Sequence, residues 1–308
     1  MTQKHLTKHS FTVRKLNAFD PDLEAYTFPH WRPVFRSLGS NREGLEPAFA
    51  LAAVSRDGEK VGLLLGRLEG GSKRRAVFLS VYVAPPWRGQ GVGRALWATA
   101  EELARKEGAE WAEANYVLGK PSIAFLEKIL KKQEWSVPRL HMYVVKFDLE
   151  TVGDVPWLRN RRLPEDYEIV LWRDLPKVAL DELISSNAEK AWVPPDLSPA
   201  EFLENYHEQT SVALKWQGKI RGWLITHQLN GVLRWSCGFV HPDLQRRGRM
   251  FALYGHVAQR AKRLGLQEIT CTVALHHPDM AAFAVRWLKP VVKRFSESRI
   301  AEKRLREE

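Results

Sequence analysis

Three glycines, Gly89, Gly91 and Gly93, alternate with Gln90 and Val92 directly after Arg88, and Arg94 follows. Residues without side chains let a bulky anion come close to backbone N–H groups. If a helix starts there, those N–H groups also lie at the positive end of its dipole. The chemistry on offer is therefore phosphate binding, with Arg88 and Arg94 adding charge. No Gly-Lys-Ser/Thr occurs in the loop, which excludes the nucleoside triphosphate P-loop. A dinucleotide fingerprint needs its glycines after the first strand of a βαβ unit and an acid about 20 residues on. Here three or four strands precede the loop, and the upstream ones read as antiparallel.

The elements that must position this loop are legible around it. Ala76–Val83 reads as a strand, and Pro85-Pro86 turns the chain. Over 91–106, Val92, Ala95, Leu96, Thr99 and Leu103 recur at helical spacing up to Gly108. Upstream, strands are expected at Phe11–Leu16, Phe49–Val54 and Lys60–Leu68, the last two joined by a hairpin at Arg56-Asp57-Gly58. Downstream, a strand is expected at Glu110–Val117, a helix at Ser122–Lys132 and a last strand at His141–Phe147. The order then recurs. Residues 83–108 align without gaps to 240–265: Val83 meets Val240, Pro85 meets Pro242, Gly91 meets Gly248, and Gly108 meets Gly265. The second half shows strands near 167–172, 211–216, 221–228, 232–240, 268–275 and 296–301. Its helices fall near 177–189, 199–207, 251–264 and 279–288. Two domains are expected, 1–150 and 151–308, with a linker near 149–166. Each is an α/β (α+β) mixed sheet, mostly antiparallel with six or seven strands, flanked by helices. The second loop, His241 to Met250, has lost two glycines: Arg246 replaces Gly89 and Met250 replaces Gly93. Side chains there obstruct close approach of an anion, which favours a weakened or absent site in the second half.

Val83-x-Pro85-x-x-Arg88-Gly89-x-Gly91-x-Gly93 after a mid-domain strand resembles motif A of the GNAT superfamily of acyl-CoA N-acyltransferases. The duplicated plan is similar to that of tandem GNAT proteins. The resemblance implies acetyl-CoA as co-substrate. It would be bound by Val81, Val83, Arg88, Gly89, Gln90, Gly91, Val92, Gly93 and Arg94: pyrophosphate on the loop amides, pantetheine and thioester carbonyl on the backbone of Val83 at a β-bulge. The acceptor would be a primary amine of a small molecule or peptide, attacking directly in a ternary complex.

Such a transfer needs a neutral amine, although an alkylammonium has a pKa near 10.4, and donors for the thioester oxygen as charge builds. Glu113 on the fifth strand is the first candidate base, directly or through water, against the alternative of a salt-bridged strand residue. Many family members place a proton-donating tyrosine on the helix after the fifth strand, but 122–134 contains none. Tyr116 and Tyr143 are the substitutes, and water is another. Asn115 is a candidate substrate ligand, as is Tyr82, which faces away from Val83. Trp31, Trp87, Trp192 and Trp223 are candidates for an aromatic pocket or for core.

The whole chain narrows the class. Its 308 residues carry 47 Lys and Arg against 36 Asp and Glu, a net charge of +11 shared by both halves. Anionic partners are favoured, and cationic polyamines are disfavoured as acceptors. No apolar run approaches the ~18 residues of a membrane span, and the polar, basic start lacks the apolar core of a secretory signal. Two cysteines, Cys237 and Cys271, make no disulfide framework and suit a reducing cytoplasm. No metal is expected. His5 and His9 lack an acidic third ligand, and His276-His277 before Pro278 reads as a loop pair. The basic clusters at 73–75, 159–162 and 246–249 lack the aromatic interleaving of an RNA site, so nucleic acid is disfavoured. A homodimer stays open. The rival reading is a non-catalytic acyl-CoA-binding or regulatory protein.

Overall fold

The structure, a computed structural model, describes residues 10–40, 46–70, 74–152, 155, 158 and 163–306. His5, His9, Lys73 and the 159–162 cluster lie outside the described residues. The chain divides into two compact units. The first holds residues 1–141 and 298–308, and the second holds 142–297.

In the first unit the strands are β1 (Phe11–Leu16), β2 (Ala48–Ser55), β3 (Lys60–Glu69), β4 (Arg75–Val83), β5 (Trp111–Val117) and the 298–304 stretch of β12 (Arg294–Arg304), in the order β1-β2-β3-β4-β5-β12. All pairs are antiparallel except β4 with β5. The β2–β3 hairpin turns at Gly58 (φ 82°). Among the described residues these strands are joined by the helices α1 (Arg32–Arg36), α2 (Val92–Lys106) and α3 (Ile123–Lys132). The apolar stripe of α2, including Val92, Leu96, Trp97, Ala100 and Ala104, is buried against the β2–β5 face. A second cluster, with Leu23, Phe35, Leu63 and Leu65, covers the other face.

The second unit repeats the plan. Its sheet runs β6-β11-β10-β9-β8-β7. These strands are β6 (Arg139–Asp148, of which 142–148 belong here), β7 (Tyr167–Leu171), β8 (Val212–Trp216), β9 (Lys219–Leu229), β10 (Val232–Val240) and β11 (Glu268–Ala274). Its helices are α4 (Leu149–Val152), α5 (Lys177–Glu189), α6 (Arg249–Arg263) and α7 (Pro278–Phe283). Among the described residues of this unit, β10 and β11 are the one parallel pair.

These units differ from contiguous halves of 1–150 and 151–308. The last strand of each half completes the sheet of the other unit. Met142–Asp148 pairs with β11, and Ser298–Arg304 pairs with β5. A buried ion pair pins the second exchange: Lys303 Nζ donates to Glu101 Oε2 at 2.6 Å, and Trp135 Nε1 donates to Glu101 Oε1 at 2.7 Å. The expected linker is also partly core. Leu149, Val155 and Leu158 are buried in the second unit. The helix expected over 199–207 is only a 3-10 turn, Pro199–Phe202, ahead of Asn205 in the left-handed region (φ 53°). The helix expected over 279–288 forms as α7 and then a π turn, Ala284–Leu288.

Candidate functional site

In the first unit the sheet opens at the carboxyl end of β4. Pairing of β4 with β5 ends at Phe78 and Ala114, while pairing with β3 continues to Val83. A bulge at Leu79, where the β3 register slips between Leu65 and Gly66, separates the two regimes. The bulge was expected at Val83; it falls four residues earlier, where β4 parts from β5. Ala84 N–H donates to Val61 O at 2.9 Å. By antiparallel alternation, the backbone groups of Val81 and Val83 then point away from β3, into the opening. They form a strand edge inside the sheet that β5 does not pair.

The loop stands at the mouth of this opening. Gly89 (φ 76°) and Gly91 (φ 91°) are both left-handed, and Gly91 is the residue before α2. A Cβ on either would meet no atom within 4 Å, so the outer side of the loop is open. The first intrahelical donor of α2 is Ala95, bonded to Gly91 O at 2.9 Å. The N–H groups of Val92, Gly93 and Arg94 are therefore left for an outside acceptor. Arg88 Nε donates to Val83 O at 3.0 Å and Gln90 Nε2 to Pro86 O at 2.8 Å, so both side chains brace the loop against the strand end. Arg94 is exposed. A Cβ on Gly93 would lie 3.2 Å from Ile129 Cδ1 and 3.5 Å from Val83 Cγ2. Glycine there lets α2 start tight against the strand. Open glycines, three leftover amides and a strand edge that β5 does not pair fit the pyrophosphate and pantetheine of a coenzyme A thioester.

The candidate acid–base residues are placed less simply. Glu113 pairs in register with Val77, four residues before Val81, so it lies about 13 Å upstream along the strand direction. Its carboxylate is engaged by Arg75, which also reaches Glu302 at 3.3 Å. Tyr116 is buried on the helix side of β5, and its hydroxyl donates to Glu127 Oε1 at 2.9 Å. Arg299 meets the same oxygen at 3.1 Å. Burial first, and the Glu127 hydrogen bond second, push the Tyr116 phenol well above the usual tyrosine range. Asn115 Oδ1 accepts from Ser298 Oγ. Tyr82 lies on the opposite face from Val83, with its ring 4.5 Å from Tyr26 and Arg88 at 5.8 Å. Tyr143 belongs to the second unit, where it packs on Phe295 at 4.8 Å. Glu113, Tyr116 and Asn115 thus share β5 but not one cleft-facing cluster. Trp87 and Trp223 are core residues, while Trp31 and Trp192 are half-buried.

The family model described as acetyltransferase (GNAT) family matches residues 13–131 and, a second time, residues 177–288. The chain belongs to the GNAT family. Among solved structures it is similar to a tandem GNAT protein from the clavulanic acid biosynthesis pathway (18% identity, 97% of this chain and 100% of the other, TM-score 0.69). It is also similar to a GCN5-related N-acetyltransferase from Sphaerobacter thermophilus (18% identity, 96% of each chain, TM-score 0.64). A third likeness is to the GCN5-related glucosamine N-acetyltransferase region of a fungal multi-domain β-N-acetylglucosaminidase (15% identity, 97% of this chain and 38% of that one, TM-score 0.66). At these identities the likeness is one of fold. No curated protein matches the chain.

The second unit of this GNAT chain copies the backbone plan. Its β10–β11 pairing ends at Trp235 and Cys271, and a bulge at Ser236 follows. His241 N–H donates to Arg221 O at 2.8 Å, which turns the backbone of Gly238 and Val240 into the opening. Arg246 (φ 59°) and Gly248 (φ 73°) keep the left-handed pair. Gln245 Nε2 donates to Val240 O at 2.9 Å, the bond that Arg88 makes in the first unit. Arg246 was expected to obstruct the loop, but its side chain turns to solvent and pairs with Asp279 at 3.0 Å. Met250 is the stronger obstacle. Its Sδ and Cε lie 3.6 Å from the position of a Cβ on Gly238. The second unit thus has a large residue at the helix start packed on a glycine of the strand, where the first unit has Gly93 at the helix start beside Val83. Sequence reasoning missed this exchange, although the same offset aligns Val81 with Gly238. Burial pushes both thiols up, Cys237 to about 11 and Cys271 to about 12, which disfavours the thiolate form.

Proposed function

We propose that the chain is an acetyl-CoA-dependent N-acetyltransferase whose working site is in the first unit, acting on a primary amine of a small molecule or peptide. The strand edge at Val81 and Val83 that β5 does not pair, beside the open Gly89–Gly91 loop, carries this reading. The loop amides and Arg94 hold the pyrophosphate. The backbone N–H groups of Val81 and Val83 are the donors for the thioester oxygen as charge develops on it. An alkylammonium is neutral in only about one molecule in 2,500 at pH 7, so the acceptor must lose a proton before it attacks. Glu113, about 13 Å upstream of Val81 and held by Arg75, can take this proton only through a chain of waters. A thiolate leaving group has a pKa near 8.5 and needs little help. The reading therefore places no acid role on Tyr116, whose proton is committed to Glu127, nor on Tyr143. The excess of positive charge favours acceptors that also carry a carboxylate or phosphate.

Calorimetric titration with acetyl-CoA tests the binding half. One site per chain is expected, lost at least 100-fold in Gly91→Glu. That change forces a side chain into a left-handed position and sets a carboxylate beside the phosphate site. Thiol release over an amine panel tests the chemical half. Turnover of carboxylated or phosphorylated amines is expected, and turnover of cationic polyamines alone overturns the acceptor assignment. Binding without release for any amine favours the non-catalytic alternative.

A further inference from the structure

The turn that leaves β11 carries His276 and His277 where the duplicated turn of the first unit has Gly119 and Lys120. Both imidazoles converge on one atom. His276 Nε2 and His277 Nε2 each lie 2.8 Å from Asp196 Oδ2. The three donor atoms all lie within 4.8 Å of one another. Asp196 comes from the short turn Pro195–Leu197, eighty residues away in sequence, so the convergence is tertiary and not a by-product of spacing.

Both sides of the cluster are braced by hydrogen bonds. Leu197 O accepts from Trp223 Nε1 and from Cys237 Sγ, each at 3.2 Å. Asn187 Oδ1 accepts from the N–H groups of Trp192 (3.1 Å) and Val193 (3.0 Å), which fixes the approach to the turn. Opposite, His277 N–H donates to Ala274 O at 3.2 Å, and Ala281 N–H donates to His277 O at 2.9 Å. The side chains themselves remain reachable, with the His276 ring 59% exposed.

As a hydrogen-bonded set, both imidazoles present an Nε2 proton to the same carboxylate oxygen, with their ring centroids 4.3 Å apart. One divalent ion replaces both protons and satisfies the same three atoms. Ligand atoms about 2.0–2.1 Å from a tetrahedral ion sit about 3.3 Å from each other, so each nitrogen–oxygen pair, now at 2.8 Å, needs to widen by roughly half an ångström. Two imidazoles and one carboxylate select a late first-row ion over Mg²⁺ or Ca²⁺, which prefer all-oxygen shells.

We propose that Asp196, His276 and His277 form a binding site for a divalent transition-metal ion, Zn²⁺ foremost, with three protein ligands and the remaining position open to water or a ligand donor atom. The ion joins the turn packed on β10 to the turn that leaves β11, the two strands that part beyond Trp235 and Cys271. The site is peculiar to the second unit and independent of the acetyl-CoA loop.

The test uses the full chain without an affinity tag. Calorimetry with Zn²⁺ is expected to give one site per chain, with no comparable heat from Mg²⁺. Zinc absorption-edge spectroscopy is expected to find two imidazole nitrogens at about 2.0 Å. Asp196→Asn keeps the shape and one acceptor oxygen but removes the charge, and is expected to weaken binding at least tenfold. The double variant His276→Ala/His277→Ala is expected to abolish binding. Unchanged circular dichroism and an unchanged acetyl-CoA titration establish that each variant is folded. Absence of saturable Zn²⁺ binding overturns the proposal, and so does binding that survives in both folded variants.

Discussion

The loops Arg88–Arg94 and Gln245–Phe251 start from the same backbone and end with different capacities. Both have two left-handed residues, both stand over a strand edge opened by a bulge, and both brace the strand's last inward carbonyl with a side chain. The difference lies one layer deeper, where Gly93 leaves room beside Val83 and Ile129 while Met250 packs against Gly238. The duplicate has kept the fold's conformational demands and let go of the space that a ligand needs. The fifth strands diverge in the same sense. Glu113, Asn115 and Tyr116 of β5 correspond to Thr270, Thr272 and Val273 of β11, so the duplicate lacks the ionisable groups.

The exchanged strands sharpen the comparison most. By register Lys303 corresponds to Phe147, and Lys146 is one residue away on the opposite face; Lys303 meets the buried Glu101 while Lys146 meets Glu268 at the surface. Lys303→Ala leaves a buried carboxylate with only the Trp135 N–H, and is expected to cost about 3 kcal/mol of unfolding free energy. Lys146→Ala is expected to change nothing measurable. Urea denaturation of both variants checks the contrast. Equal effects would mean that β12 does not complete the first unit as described.

The loop difference makes the next test. Gly93→Met places the second unit's residue in the first, against Ile129 and Val83. Acetyl-CoA affinity is expected to fall at least thirtyfold, about 2 kcal/mol, through loss of room at the strand edge. Calorimetry reads the change, and a thermal melt separates it from unfolding. Retained affinity would show that Met250 is no obstacle and would reopen the second loop as an acetyl-CoA site.

Much of this was legible in the sequence because it is local. The glycine loop, the strand before it, the helix after it and the repeat at an offset of 157 depend on residues close together in the chain. The exchanged strands were not legible, since the alternation within 139–148 and 294–304 is the same whichever sheet receives them. The partners of the candidate residues were hidden for the same reason: Glu113 meets Arg75, Tyr116 meets Glu127, and Ser298 reaches Asn115 from the far end of the chain. Asp196 is likewise invisible from His276 and His277. Local pattern specifies where amides point, whereas long-range contact decides which side chains are free to react.

Arg246 gives the smallest effect and the cleanest sign. A left-handed conformation costs an ordinary L-residue roughly 1–2 kcal/mol, and Arg246 adopts one at φ 59° where the first unit has glycine. Its ion pair with Asp279 is almost fully exposed, 88% and 84%, and offsets little of that cost. Glycine relieves the strain but loses about 0.5–1 kcal/mol to the greater freedom of the unfolded chain. Arg246→Gly is therefore expected to stabilise the protein by up to about 1 kcal/mol, and Gly89→Arg to destabilise it by a similar amount, read from the shift of the urea midpoint at constant slope. The two changes exchange the same residues between equivalent positions, so their effects must be opposite in sign if the loops share one backbone. Destabilisation by Arg246→Gly would break that symmetry and show that the guanidinium is retained for a contact worth more than the strain it carries.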